Sequence, residues 1–110
     1  ELRLRSIELS ELFISEIDKL SLNFTLACPR DPQLRGSQVS FRVENGYELM
    51  QALIEKKLIG DFRAPNLIRF GISPLYLDET DIMKAIKIIE EVSTQGLWKK
   101  FKNSNRKTVT

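Results

Sequence analysis

The stretch IGDFRAPNLIRFGISPLY, from Ile59 to Tyr76, restricts the fold more than any other. It reads as two short extended runs joined by a turn. Pro65 fixes one backbone angle and Asn66 tolerates turn geometry, so the two together supply the reversal. The second run alternates: Ile68, Phe70 and Ile72 fall on one face of a strand, and Leu67, Arg69 and Gly71 on the other. One guanidinium therefore stands opposite the densest apolar row, with no acidic residue of the run evident as its neighbour. Gly71, two residues on, leaves the backbone open to close approach on that same face. Pattern alone leaves two readings of Arg69, a solvated strand arginine or an anion clamp.

The 110 residues of the chain suffice for one modest domain with a real core. No apolar run approaches the roughly 20 residues of a membrane span, and no signal-peptide pattern opens the chain. It begins at Glu1 rather than methionine, which suggests a piece of something longer. The sequence has one cysteine, Cys28, and no histidine. An intrachain disulfide and the usual zinc ligand sets are thereby excluded, as are Ser-His and Cys-His nucleophile pairs. Cys28 alternates in register with Leu22, Phe24 and Leu26 and reads as a small buried hydrophobe.

The net charge of +2 misleads if taken whole. Lys99, Lys100, Lys102, Arg106 and Lys107 crowd the last segment, which holds no acid, so the body is mildly acidic and residues 99–110 form a basic polar tail. Such a tail suits contact with nucleic acid or anionic lipid, or a frayed solvated terminus. With no interleaved aromatic platform, a nucleic-acid partner is not expected.

Along the chain, a helix is expected from Ser6 to Leu20, with Leu9, Leu12, Phe13, Ile17 and Leu20 at spacings of three and four. Leu2 and Leu4 extend its apolar face toward the start, with Ser6 an alternative N-cap. Strands follow at Asn23 to Cys28 and Ser37 to Val43. The loop between them carries Arg30, Asp31 and Arg35, a charged cluster to which pattern assigns nothing more. Asn45 is the expected N-cap of a second helix, Gly46 to about Lys57, whose terminal Lys56 and Lys57 complement the helix dipole. Asp78 or Thr80 caps a final helix carrying Ile82, Ile86, Ile89 and Val92, and Gly96 ends it. Leu97, Trp98 and Phe101 either fold back as an aromatic patch or pack on something outside the chain.

This order predicts an α+β domain: a small, mostly antiparallel sheet with helices packed on one face. The other face, on which Arg69 lies or at whose rim it sits, is left bare and calls for a partner or another domain.

The segments CPRDPQLRGSQVSF, ENGYELMQALIEKKLIGDFRAP and LIRFGISPLY, with RSIELSELF before them, resemble the C-terminal part of the kynureninase family. The resemblance runs from near the start to about Ile89. RGSQ before a strand, GDFRAP after a helix and RFG-x-x-PLY are specific in combination. The family implies a pyridoxal-phosphate enzyme of the aspartate-aminotransferase-like fold, a cytoplasmic homodimer that hydrolyses a carbon–carbon bond of kynurenine in tryptophan breakdown. It further implies a large domain of the same polypeptide that holds the cofactor and its Schiff-base lysine. Residues 1–98 then form the C-terminal small domain. Its arginine for the substrate α-carboxylate is, by resemblance, Arg69, and no catalytic or cofactor-binding residue is carried by this chain. Arg63 in GDFR is read as structural.

Two departures stand out. Nothing here resembles the large domain, and LDETDI follows PLY where a more aromatic or basic stretch is expected. The competing expectations are a free-standing amino-acid-binding or interaction module, and a related aminotransferase or cysteine desulfurase.

Overall fold

The computed structural model describes residues 2–36, 38–58 and 60–102. Ser37 and Ile59, where two of the expected extended runs begin, and residues 103–110, most of the basic tail, lie outside the described residues. Helix α1 (Leu2–Lys19) is followed by strands β1 (Phe24–Leu26) and β2 (Gln38–Val43), helix α2 (Gly46–Glu55), strands β3 (Asp61–Arg63) and β4 (Leu67–Gly71), and helix α3 (Glu79–Gln95). A 3-10 helix, Leu97–Phe101, closes the described chain.

The strands form one sheet in the order β1-β2-β4-β3, every neighbouring pair antiparallel. Alternation sets its two faces. Val39, Phe41, Val43, Ile68 and Phe70 point inward and are buried, and Ile72 continues the row. All three helices supply the opposite wall of that core, through Leu9, Phe13 and Ile17 of α1, Leu49, Met50 and Leu53 of α2, and Ile82, Ile86 and Ile89 of α3. Phe13, 1% exposed, is the hub. It meets Phe41 and Phe70 edge-on, at centroid distances of 6.1 Å and 5.2 Å, a geometry that aromatic quadrupoles favour. The expected α+β sandwich, with helices on one face only, is the fold observed.

Local differences have local causes. α1 runs four residues further toward the start than Ser6, but Leu2 and Leu4 are exposed rather than part of the core. β1 is shorter than Asn23 to Cys28, although the Ala27 amide still donates to the Ser40 carbonyl at 2.8 Å. Cys28 is half-buried against the core, not enclosed by it. Asn45 stands at the N-cap position of α2 but in the left-handed region, φ 61°, and its side chain makes no capping bond. Asparagine is chosen there for its tolerance of that conformation, so its role is the turn, not the cap. Asp78 is the cap of α3. Its carboxylate accepts from the Asp81 amide at 3.0 Å while the Asp81 carboxylate accepts from the Asp78 amide at 3.0 Å, a reciprocal box. Gly96, φ 65°, ends α3 as expected. The aromatic patch folds back: Leu97, Trp98 and Phe101 pack against the core, and Lys100 pairs with Glu55 of α2 at 2.6 Å.

Candidate functional site

The face of the sheet turned away from the helices carries Thr25 from β1, Gln38, Ser40 and Arg42 from β2, Leu67, Arg69 and Gly71 from β4, and Asp61 and Arg63 from β3. Three of these are arginines and one is a carboxylate, so the face is a cationic, hydrogen-bonding surface. The register centres it on Arg69, which stands between Ser40 on one side and Asp61 on the other.

The turn Ala64–Asn66 decides this arrangement. It contains a cis Ala64–Pro65 bond and joins β3 to β4 so that Arg63 faces Leu67 and Asp61 faces Arg69. The run therefore does hold an acidic neighbour for Arg69, contrary to expectation. Asp61 accepts a hydrogen bond from Nη2 of Arg69. Pattern reading missed it because the two are eight positions apart. The signal was nonetheless in the sequence: an antiparallel reversal centred on Pro65 brings 61 opposite 69. Arg63 Nε approaches the same Asp61 oxygen at 3.7 Å. The hydrogen bond to Arg69, then the two guanidinium charges, hold the Asp61 carboxyl below the usual carboxylate range.

Arg69 is not saturated by this contact. Its side chain is 22% exposed, and its Nε is buried with no hydrogen-bond partner among the described residues. A buried donor left unpaired costs free energy and asks for a partner. The strand beneath it is closely held. A Cβ on Gly60 would sit 2.7 Å from Met50 Cε and 2.8 Å from the Arg69 carbonyl oxygen, so only glycine lets the chain leading into β3 lie on β4. Gly71 is different: a Cβ there would meet nothing within 4 Å. No contact among the described residues requires glycine at that position, which leaves the backbone approachable from the open side.

A cleft of about 580 Å³ borders the site at the end of β4, lined mostly by apolar groups including Phe70, Ile72, Tyr76 and Leu77, with Arg69 and Asp61 at its polar edge. Tyr76 of the PLY motif is 83% exposed at this edge. Arg35, the first residue of the RGSQ motif, proves to be structural. Arg35, read from pattern as a member of a charged loop cluster, is 3% exposed. Its guanidinium donates to the carbonyls of Pro29 and Arg30, to Ser10 Oγ at 2.9 Å and to Glu11 at 2.7 Å, tying the loop to α1.

The fold is that of the small α+β domain found within a known class of enzyme. Acetylornithine aminotransferase from Elizabethkingia anophelis superposes with a TM-score of 0.67 at 26% identity, over 83% of this chain and 24% of that one. The sequence narrows the class. Over residues 2–89 it matches the kynureninase C-terminal domain, and the chain belongs to that family. It is 38% identical to the kynureninase of Pseudomonas fluorescens and 34% identical to that of Burkholderia mallei (strain SAVP1), in each case over 99% of this chain. The chain spans 27% of the length of these relatives.

Proposed function

We propose that the chain works as the C-terminal small domain of a kynureninase. The whole enzyme hydrolyses L-kynurenine or 3-hydroxykynurenine to anthranilate or 3-hydroxyanthranilate and L-alanine, and this domain contributes Arg69 as the anchor for the substrate α-carboxylate. The observation that carries the reading is the Arg69 guanidinium: fixed on an open sheet face, held by one carboxylate, and left with a buried, unpaired Nε. A guanidinium fork matches a carboxylate with two charge-assisted hydrogen bonds, which lysine cannot reproduce. Holding an amino acid by its carboxylate fixes the orientation of the bonds at its α-carbon, so the share of Arg69 is positioning.

Pyridoxal phosphate, which the family implies, supplies the electron sink for such chemistry. The strands of the sheet carry no lysine, so the open face offers donors for an anion, and Lys57 lines the cleft beside it. In this reading the cofactor and its Schiff-base lysine belong to the large domain of the same polypeptide, as the family implies, and residues 1–110 alone are expected to be inactive. In this reading the whole enzyme is a cytoplasmic homodimer. The relatives favour it over a free-standing binding module, since each is a kynureninase of which this chain matches about a quarter.

The test is Arg69→Ala in the full-length protein. Loss of two charge-assisted hydrogen bonds raises KM for kynurenine roughly 100-fold, while the cofactor absorbance persists. Arg69→Lys recovers little of the loss. An unchanged KM removes Arg69 from the site.

A further inference from the structure

We infer that Asp61 is a positioning residue for the carboxylate site: it holds the Arg69 guanidinium by one terminal nitrogen and leaves the remaining donors to the substrate. The inference rests on the reading of Arg69 given above and deepens it.

Four observations carry it. Asp61 is the direct cross-strand partner of Arg69, so the register and not a chance rotamer brings the two together. The contact uses Nη2 alone, and Nε stays unpaired. A guanidinium has five donors, so a single contact restricts its orientation without consuming its capacity. Position 61 is itself fixed, because Gly60 is packed against the Arg69 carbonyl with no room for a Cβ. Finally, Arg63 Nε lies 3.7 Å from the same carboxylate oxygen, so Asp61 is steadied in turn. The depressed protonation of Asp61 keeps it an acceptor through the neutral range.

The alternative role for a carboxylate in this place is competition, in which Asp61 occupies the fork until substrate displaces it. Full competition would use the two-bond fork geometry that a substrate carboxylate uses. The single bond observed leaves that geometry open. Ordering the long side chain in advance spares the substrate that cost, and prepaid ordering of one such side chain is worth on the order of tenfold in affinity.

The experiment compares variants of the full-length enzyme by KM and kcat. Asp61→Ala raises KM for kynurenine about tenfold with kcat within about twofold, the scale set by one immobilised side chain. Asp61→Asn keeps an acceptor oxygen of the same reach and restores most of the affinity. The decarboxylated amine analogue, used as an inhibitor, binds wild type and both variants alike, which a general loss of structure would not produce. Adding Asp61→Ala to Arg69→Ala changes nothing further. A KM that is unchanged or lowered in Asp61→Ala overturns the inference, as does a lowered KM in Asp61→Asn, which also decides the matter if the alanine variant fails to fold. If Arg69→Ala raises KM and the Asp61 variants do not, the inference alone fails. If Arg69→Ala itself leaves KM unchanged, the anchor reading fails with it.

Discussion

Arg35 and Arg69 sit in two motifs of one small domain, and their surroundings differ at almost every point. Arg35 is enclosed between a loop and α1, 3% exposed, with donors spent on two backbone carbonyls, a serine hydroxyl and a glutamate. Arg69 lies on the uncovered face of the sheet with one carboxylate partner and a buried Nε that no described residue satisfies. A charge taken fully out of water is tolerable only when every donor is met. Arg35 comes close to that condition inside the chain, with both terminal nitrogens bonded twice, so its work is structural. Arg69 does not, so its missing partner is looked for outside.

The largest effect separates the two on stability. Arg35→Ala leaves the carbonyls of Pro29 and Arg30 and the hydroxyl of Ser10 without their donor, and costs about 3 kcal/mol. The shift of a urea denaturation midpoint measures it. Arg69→Ala changes the same midpoint little, since the pair it breaks is partly exposed. Equal destabilisation by both would end the contrast.

A smaller effect tests how the two glycines beside the site are used. Gly60→Ala forces a Cβ against the Arg69 carbonyl and Met50, and overpacking of this kind costs about 2 kcal/mol. Gly71→Ala faces open space and leaves the melting temperature within a degree or two of wild type, since a surface change is worth roughly 0.5 kcal/mol or less. A raised KM in Gly71→Ala with stability intact would show that the ligand comes close to that strand. Equal loss of stability in the two would show that the backbone contact at Gly60 is not what holds β3 to β4.

The smallest effect is acid sensitivity. Glu79 bonds Arg5 between α3 and α1, and that hydrogen bond holds its carboxyl down at about 2 from an ordinary 4.5. Asp61 is lowered in the same way by Arg69. A carboxyl depressed in the folded state is protonated first in the unfolded chain, so stability rises with pH across the interval between the two values. The contribution is fully present above about pH 4.5 and is lost as the pH falls toward 2. The Arg5–Glu79 pair is solvent-exposed and the Arg69–Asp61 pair partly so, so salt weakens the dependence. Urea midpoints followed from pH 6 to pH 2 should decline less steeply in Glu79→Gln. An identical slope would remove that pair from the account.

Much of this was legible in the chain itself. Periodicities of two and 3.6 placed α1, β1, β2, α2, β4 and α3 in order, because a half-buried element must repeat its apolar side with its own geometry. Gly96 announced the end of α3, and Asp78 was one of two candidates, with Thr80, for its start, since the side-chain cap and the left-handed terminator are local events. Asn45 misled because one residue type serves both caps and left-handed turns. Arg35 and Asp61 were not recognised. Their roles depend on partners 25 and eight positions away, and burial and cross-strand pairing are not properties of a local pattern.

Sequence by itself determined the alternation that put Arg69 opposite the apolar row, and it carried the motifs that assign the chain to its family. Tertiary structure decided which partners each arginine has. The same guanidinium is a solvated charge, a buried strut or an anchor according to how many of its donors the surrounding backbone and side chains satisfy. That number is set only when strands far apart in sequence come into register and a helix closes over one loop but not over the opposite face of the sheet.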